Sequence, residues 1–333
     1  MHALPFLEVL RDNYPGAKID WLVEEDAFQV IDGHPALNRI IVSRRRSWQN
    51  RFISGHAKKS IISEISRFIK AIRKYKYDLV IDLQGLFKSG ILAGLSRGYR
   101  KICMDGAREA GWIFMNERPV QVNHHQHAID RYLEVARYLN CNFVAPKGYI
   151  YFSDTDKKTV DHILNTKLKG RGPIIAINPV ARWKTKLWEP ERFSRLADRL
   201  IGDLGYRVVF TGSANDIPTI AYISNRMMQS PLNLAGKTDL KKLAYLYTRC
   251  AVLVTTDTGP MHIASAMGCN VVALFGPTDP LLTGPYGEGH QVVRISDLEC
   301  SPCFRKRCDS IICMKRITVE MVLQAIERLS LGC

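Results

Sequence analysis

A chain of 333 residues with 46% hydrophobic content can bury a substantial core, and ordinary domain sizes favour two domains over one. No apolar run reaches the roughly 18 residues that span a bilayer, and the first fourteen residues lack the charged-then-apolar order of a secretory signal, so a cytoplasmic protein is expected. The formal net charge of +15 calls for an anionic partner: nucleic acid, acidic lipid or a phosphorylated substrate.

In chain order, Met1-His2-Ala3-Leu4-Pro5 leads directly into a helix, where a doubly wound domain ordinarily opens with a buried strand and a tight turn. Short β-branched runs then predict strands at residues 19–23, 39–42, 79–83 and 101–104, and helical periodicity covers 60–75 and 127–139. Between Arg39 and Lys76, twelve Lys or Arg stand against one acid, Glu64, with Arg44, Arg45 and Arg46 consecutive. Such a run suits an anion-binding surface or a solvated helix face. A polar junction at 151–156 marks the division into domains 1–153 and 154–333. A second series follows, with strands predicted at 174–178, 207–211, 252–255 and 271–275 and helices at 189–204 and 239–249. Two α/β halves in series predict parallel sheets flanked by helices, with functional residues just beyond the carboxyl ends of strands.

After the strand at 252–255 comes Asp257-Thr258-Gly259-Pro260-Met261-His262, then an apolar helix, and a further strand ending Phe275-Gly276-Pro277-Thr278-Asp279-Pro280. Backbone N–H groups at Thr258 and Gly259, together with the helix dipole, suit a phosphate there. The same residues also suit a plain helix start, with Asp257 as N-cap and Pro in the first turn. His262, flanked by Met261 and Ile263, fits a packing position or a ligand contact, and no second His or carboxylate stands near it at metal-ligand spacing.

The whole string from Thr256 to Gly287, TDTGPMHIASAMGCNVVALFGPTDPLLTGPYG, resembles the signature of glycosyltransferase family 9, the ADP-heptose:lipopolysaccharide heptosyltransferases. The resemblance extends through the basic loop from Asn178 to Trp188, the segment from Asp82 to Ser89, and the stretch from Arg108 to Arg131; the last two look most like heptosyltransferase I. It implies a GT-B fold, with two Rossmann-like domains facing a central cleft and the nucleotide-sugar on the C-terminal one. The implied reaction is inverting, metal-independent and cofactor-free transfer of heptose from ADP-L-glycero-D-manno-heptose to Kdo on lipid A. Donor contacts are implied for Ala181, Arg182, Lys186, Asp216, Thr238, Asp257, Thr258, Gly259 and His262, with Lys186 stabilising charge on the departing ADP. Asp216 fits the ribose hydroxyls, or equally a cap on the next helix. The anionic acceptor and the inner face of the inner membrane become partners for the basic face, with Arg44, Arg45, Arg46, Lys88 and Arg118 as candidates. A heptosyltransferase II-like acceptor is the nearest alternative, and a silent nucleotide-binding, membrane-associated homologue is the other. No zinc-finger, RNA-binding or helix-turn-helix signature accompanies the charge, which argues against nucleic acid.

Two features stand apart. Family members open with a strand and a loop of the type Ser-Leu-Gly-Asp-x-x-His-x-Leu-Pro, whose Asp acts as general base; only His2, Ala3, Leu4 and Pro5 match it here, so a start placed too far downstream or a truncated copy is expected, with impaired activity. Cys300, Cys303, Cys308 and Cys313 have spacing compatible with zinc, although reduced or redox-labile thiols are the preferred reading; Cys103, Cys141, Cys250 and Cys269 read as core or boundary residues.

Overall fold

Apolar runs buried on both faces mark the C-terminal half. Strand β5 (Ile174–Asn178) reads IIAIN and β8 (Val252–Thr256) reads VLVTT, and every residue of both is buried. Around them lie β6 (Arg207–Phe210), β7 (Leu232–Asn233), β9 (Asn270–Leu274) and β10 (Gln291–Val293), all parallel, in the order β10-β9-β8-β5-β6-β7. Counted from β5 as the first strand, this is the doubly wound order 3-2-1-4-5-6, whose direction reverses between β5 and β8. Trp188, Phe193, Leu196 and Phe210 fill the core on one face, and the later residues Val322 and Ile326 pack against the same cluster. Trp188 is 2% exposed and donates its indole N–H to the Ile317 carbonyl at 3.0 Å.

The N-terminal half is built differently. Strands β1 (Asp20–Glu24) and β2 (Arg39–Ser43) form one parallel pair, and β3 (Lys76–Asp82) and β4 (Arg97–Cys103) form another. Among the described residues no backbone ladder joins β1 to β3. Side chains link them instead: the Tyr77 hydroxyl donates to Asp20 Oδ2 at 2.7 Å and accepts from Arg39 at 2.7 Å, while Arg39 Nε donates to the same Asp20 oxygen at 2.9 Å. Burial and the Asp20 carboxylate push the Tyr77 phenol up to about 12. Helices α1 (Leu4–Asn13), α2 (Arg45–Ile53), α3 (Lys58–Ile72), α4 (Phe87–Leu95) and α5 (Ala128–Tyr138) accompany these pairs. Helix α3 is amphipathic, turning Ile61, Phe68 and Ile72 onto Ile41 of β2 and Trp48 of α2.

The computed structural model describes residues 1–55, 58–106 and 109–329. It divides into two compact units, residues 2–148 and 149–333, with Met1 grouped with the second. The division falls just ahead of the polar junction, whose Ser153 caps α6 (Asp154–Lys167) in a reciprocal box with Asp156. The C-terminal unit continues with α7 (Pro190–Gly202), α8 (Ile217–Ser224), α9 (Leu240–Thr248), α10 (Gly259–Ala266) and α11 (Val319–Glu327). Among the described residues no helix is long and apolar enough to cross a membrane.

Candidate functional site

The carboxyl ends of β5 and β8 lie side by side at the point where strand order reverses, and their following loops carry the chemistry. Lys186, in the loop after β5, reaches Asp257, the residue immediately after β8: Nζ to Oδ2 is 2.5 Å, with side chains only 15% and 7% exposed. The same carboxylate oxygen accepts the Thr278 hydroxyl at 2.6 Å from the loop after β9. Three loops thus converge on one buried oxygen. The Lys186 ammonium also sits 4.5 Å from the centre of the Trp183 ring, and Lys306 lies 5.2 Å from the same ring.

This arrangement corrects one sequence reading. Asp257 does not cap α10; the N-cap is Thr258, whose side chain makes no capping bond, and Pro260 stands in the first turn. The carboxylate is directed to Lys186 and Thr278, so the first amides of α10 carry no side-chain acceptor at their cap. A Cβ at Gly259 would meet nothing within 4 Å, so neither packing nor backbone conformation demands glycine there. His262 is half-buried one turn further along α10.

Other positions fall on neighbouring loops of the same sheet edge. Asp216, after β6, accepts the Ser213 N–H at 2.8 Å and hydroxyl at 2.6 Å through Oδ2, closing a reciprocal box on the turn at 214–216, while at α8 itself its side chain makes no capping bond. Thr238 follows β7, on a loop tied to the β6 loop by Gly236 N–H donating to the Gly212 carbonyl at 2.9 Å. Ala181 is half-buried and Arg182 exposed, both in the loop that carries Lys186. The structure joins Lys186 directly to Asp257; among the described residues, neither is hydrogen-bonded to Asp216, Thr238 or Arg182.

The cysteine-bearing segment braces the site from behind. Cys303 and Phe304 donate their N–H groups to the Pro277 carbonyl at 2.9 and 2.8 Å, Ser301 Oγ donates to the Gly276 carbonyl at 2.7 Å, and Thr185 Oγ1 donates to the Arg305 carbonyl at 2.9 Å. Gly276 is required by this packing, since a Cβ there would lie 2.6 Å from Met314 Sδ and 3.0 Å from Cys313 Sγ. Cys300, Cys303, Cys308 and Cys313 are free thiols. Among the described residues no three His, Cys, Asp or Glu side chains form a metal-holding group. Hydrogen bonds from the Ser310 hydroxyl and the Ile311 N–H hold the exposed Cys308 thiol below its ordinary value, whereas burial raises Cys313.

Across residues 65–311 the chain matches the model of a family described as glycosyltransferase family 9 (heptosyltransferase). The chain belongs to glycosyltransferase family 9. It is 30% identical over 322 residues to lipopolysaccharide heptosyltransferase 1 of Pseudomonas aeruginosa, covering 92% of this chain and 83% of that protein. It is also 30% identical over 292 residues to lipopolysaccharide heptosyltransferase 3 of Escherichia coli K12, covering 85% and 81%. The structure of E. coli heptosyltransferase WaaC with ADP superposes with a TM-score of 0.78 at 26% identity, covering 99% of this chain and 95% of that one. The fold is GT-B.

In the N-terminal unit of this family 9 glycosyltransferase, the basic run is partnered. Arg44 pairs with Glu25 at 3.0 Å, Arg45 with Glu24 at 3.2 Å, and Arg46 with Asp26. All of these except Arg45 line a concavity of about 450 Å³ that also includes Ser47 and Arg51. Lys88 is half-buried in the first turn of α4, and Arg118 is exposed beyond β4; among the described residues, neither is hydrogen-bonded to the arginine triplet. The segment from Asp82 to Ser89 has a structural basis of its own: Asp82 Oδ1 accepts the N–H groups of Gln84 and Gly85, Oδ2 accepts the Ser89 hydroxyl, and Gly85 takes a positive φ of 63°. Arg108 lies outside the described residues.

Sequence reasoning named Lys186 and Asp257 but missed Thr278 and the bracing by residues 301–305. Thr278 lies inside the signature, yet spacing alone does not say that its hydroxyl turns back to a carboxylate twenty-one residues earlier.

Proposed function

We propose that this glycosyltransferase transfers L-glycero-D-manno-heptose from ADP-heptose to Kdo of the lipopolysaccharide inner core, Kdo-lipid A, by inversion and without a metal. One observation carries the reading: Lys186 and Asp257 meet at the switch point of a doubly wound sheet, beside a helix start without a side-chain cap. A diphosphate held by the first amides of α10 would lie against the Lys186 ammonium, which is placed to neutralise charge as the bond from heptose to the diphosphate breaks. Gly259 keeps the approach to those amides open. In this reading Asp257 gives up part of its claim on Lys186 when the donor binds, and Thr278 holds the carboxylate in place. Asp216 retains a second oxygen for ribose hydroxyls, while Ala181, Arg182, Thr238 and His262 complete the donor contacts. Arg44, Arg45, Arg46, Lys88 and Arg118 face the anionic groups of the acceptor. Because that acceptor is lipid-anchored, the protein works at the cytoplasmic face of an anionic inner membrane.

The test begins with the donor. Lys186→Ala should weaken ADP binding in calorimetry and slow ADP release from ADP-heptose by about 10²–10³-fold, with partial retention in Lys186→Arg. Equal ADP affinity in wild type and Lys186→Ala would sink the assignment of Lys186. Names of types 1 and 3 among the relatives make a heptosylated core the competing acceptor. Product formed on Kdo-lipid A supports the reading, and product formed only on heptosylated core replaces it.

A further inference from the structure

The cations of residues 39–76 do not all share the fate of the arginine triplet. Glu64, the acid within that run, is turned inward: it accepts from Arg51 at 2.9 Å and from the Trp48 indole at 2.9 Å. Trp48 in turn packs edge-on against Phe68, ring centres 5.3 Å apart, so α2 and α3 are fixed to each other and to β2. The outer face of α3 is left with Lys59, Arg67 and Lys70, all exposed, and no ion pair is formed by any of the three among the described residues. Spacings of eight and three residues, about two turns and one turn, put them on one side of the helix. At the same end of the hairpin, Phe52 and Ile53 close α2 at 57% and 83% exposure, and Ile62 on the first turns of α3 is 66% exposed.

A cationic row ending in an exposed apolar tip is costly in water unless something covers the tip. We propose that the α2–α3 hairpin is a membrane-docking element: Phe52, Ile53 and Ile62 enter the boundary between headgroups and acyl chains of an anionic bilayer, while Lys59, Arg67 and Lys70 lie against its phosphates. The partner follows from the pairing of features. Cations alone would suit any polyanion, but aliphatic side chains gain nothing from a nucleic acid backbone, and they gain by leaving water for lipid. The proposal rests on the membrane-face reading above and places the bilayer contact on the helix beside Arg44, Arg45 and Arg46, which hold their own acidic partners.

The experiment is co-sedimentation of the full chain with vesicles of phosphatidylethanolamine and phosphatidylglycerol, compared with vesicles of phosphatidylcholine alone. Neither preparation contains the acceptor sugar, so a failed transfer assay and a failed docking assay remain separate results. Binding should occur on the anionic vesicles and decline with salt. Arg67→Glu combined with Lys70→Glu should weaken it by at least about tenfold, and Ile53→Ser by several-fold, with circular dichroism and ADP binding unchanged. Both substitutions are at exposed positions, and the ADP titration keeps loss of folding from passing as loss of docking. Equal binding to both vesicle types overturns the proposal, as does wild-type binding by these variants. Charge-reversal loss with no effect of Ile53→Ser, together with competition by an RNA homopolymer, would assign the face to nucleic acid instead.

Discussion

The C-terminal sheet is one unbroken ladder of six parallel strands, whereas the N-terminal strands stand as two pairs. Among the described residues, backbone hydrogen bonds join β1 to β2 and β3 to β4 but do not join one pair to the other. The effect on burial is direct: all five residues of β5 and of β8 are buried, and none of the five in β1 is. Asp257 follows directly from β8, a strand held on both sides, and Lys186, eight residues past β5, lies in a loop anchored by the bond from Thr185 to the Arg305 carbonyl. In the N-terminal unit, β1 and β3 are tied together by the Tyr77, Asp20 and Arg39 side chains. Such a network holds strand ends rather than whole strands.

The comparison can be tested in order of effect. Trp188→Ala removes a fully packed indole and its bond to Ile317, and should cost about 3–5 kcal/mol of stability in the C-terminal unit. Denaturation followed by probes in each half should show that transition move while the N-terminal one stays; a single shared transition that moves as a whole would erase the distinction. Amide exchange should be at least about a hundredfold faster in β1 and β3 than in β5 and β8, and equal protection would show that the pairs are as stable as the ladder. Tyr77→Phe removes one hydroxyl from the N-terminal bridge and should cost about 1 kcal/mol there, with no change in ADP affinity. The smallest effect concerns reactivity on the surface of the rigid unit. The Cys308 thiol is held below its ordinary value, so its thiolate is populated at lower pH than in a free cysteine. Alkylation mapped by mass spectrometry should therefore reach Cys308 before Cys103, Cys250 and Cys269, whose thiols burial raises.

Much of the C-terminal unit was legible because strands buried on both faces read as continuous apolar runs. Residues 174–178 were placed to the residue, and those at 207–211, 252–255 and 271–275 to within one. Strands β7 and β10, of two and three residues, are too short to leave a pattern. The signature exposed Asp257, and the basic loop exposed Lys186, but their ion pair joins residues 71 apart and belongs to the fold. The arginine triplet shows the opposite limit. Its charge is obvious in a window of residues 39–76, while Glu24, Glu25 and Asp26, which answer it, sit outside that window on and after β1. Local charge counts describe a segment; neutralisation is decided by what the sheet places next to it.

Trp183 has a consequence for how this protein is observed. Its ring lies under two ammonium groups, Lys186 at 4.5 Å and Lys306 at 5.2 Å, one from each of the segments that meet around the candidate donor site. A nearby cation changes the energy of the indole excited state, so an anion that draws either lysine aside will alter the emission of this tryptophan. The site therefore carries its own optical gauge, readable by titration without label, coupled enzyme or acceptor.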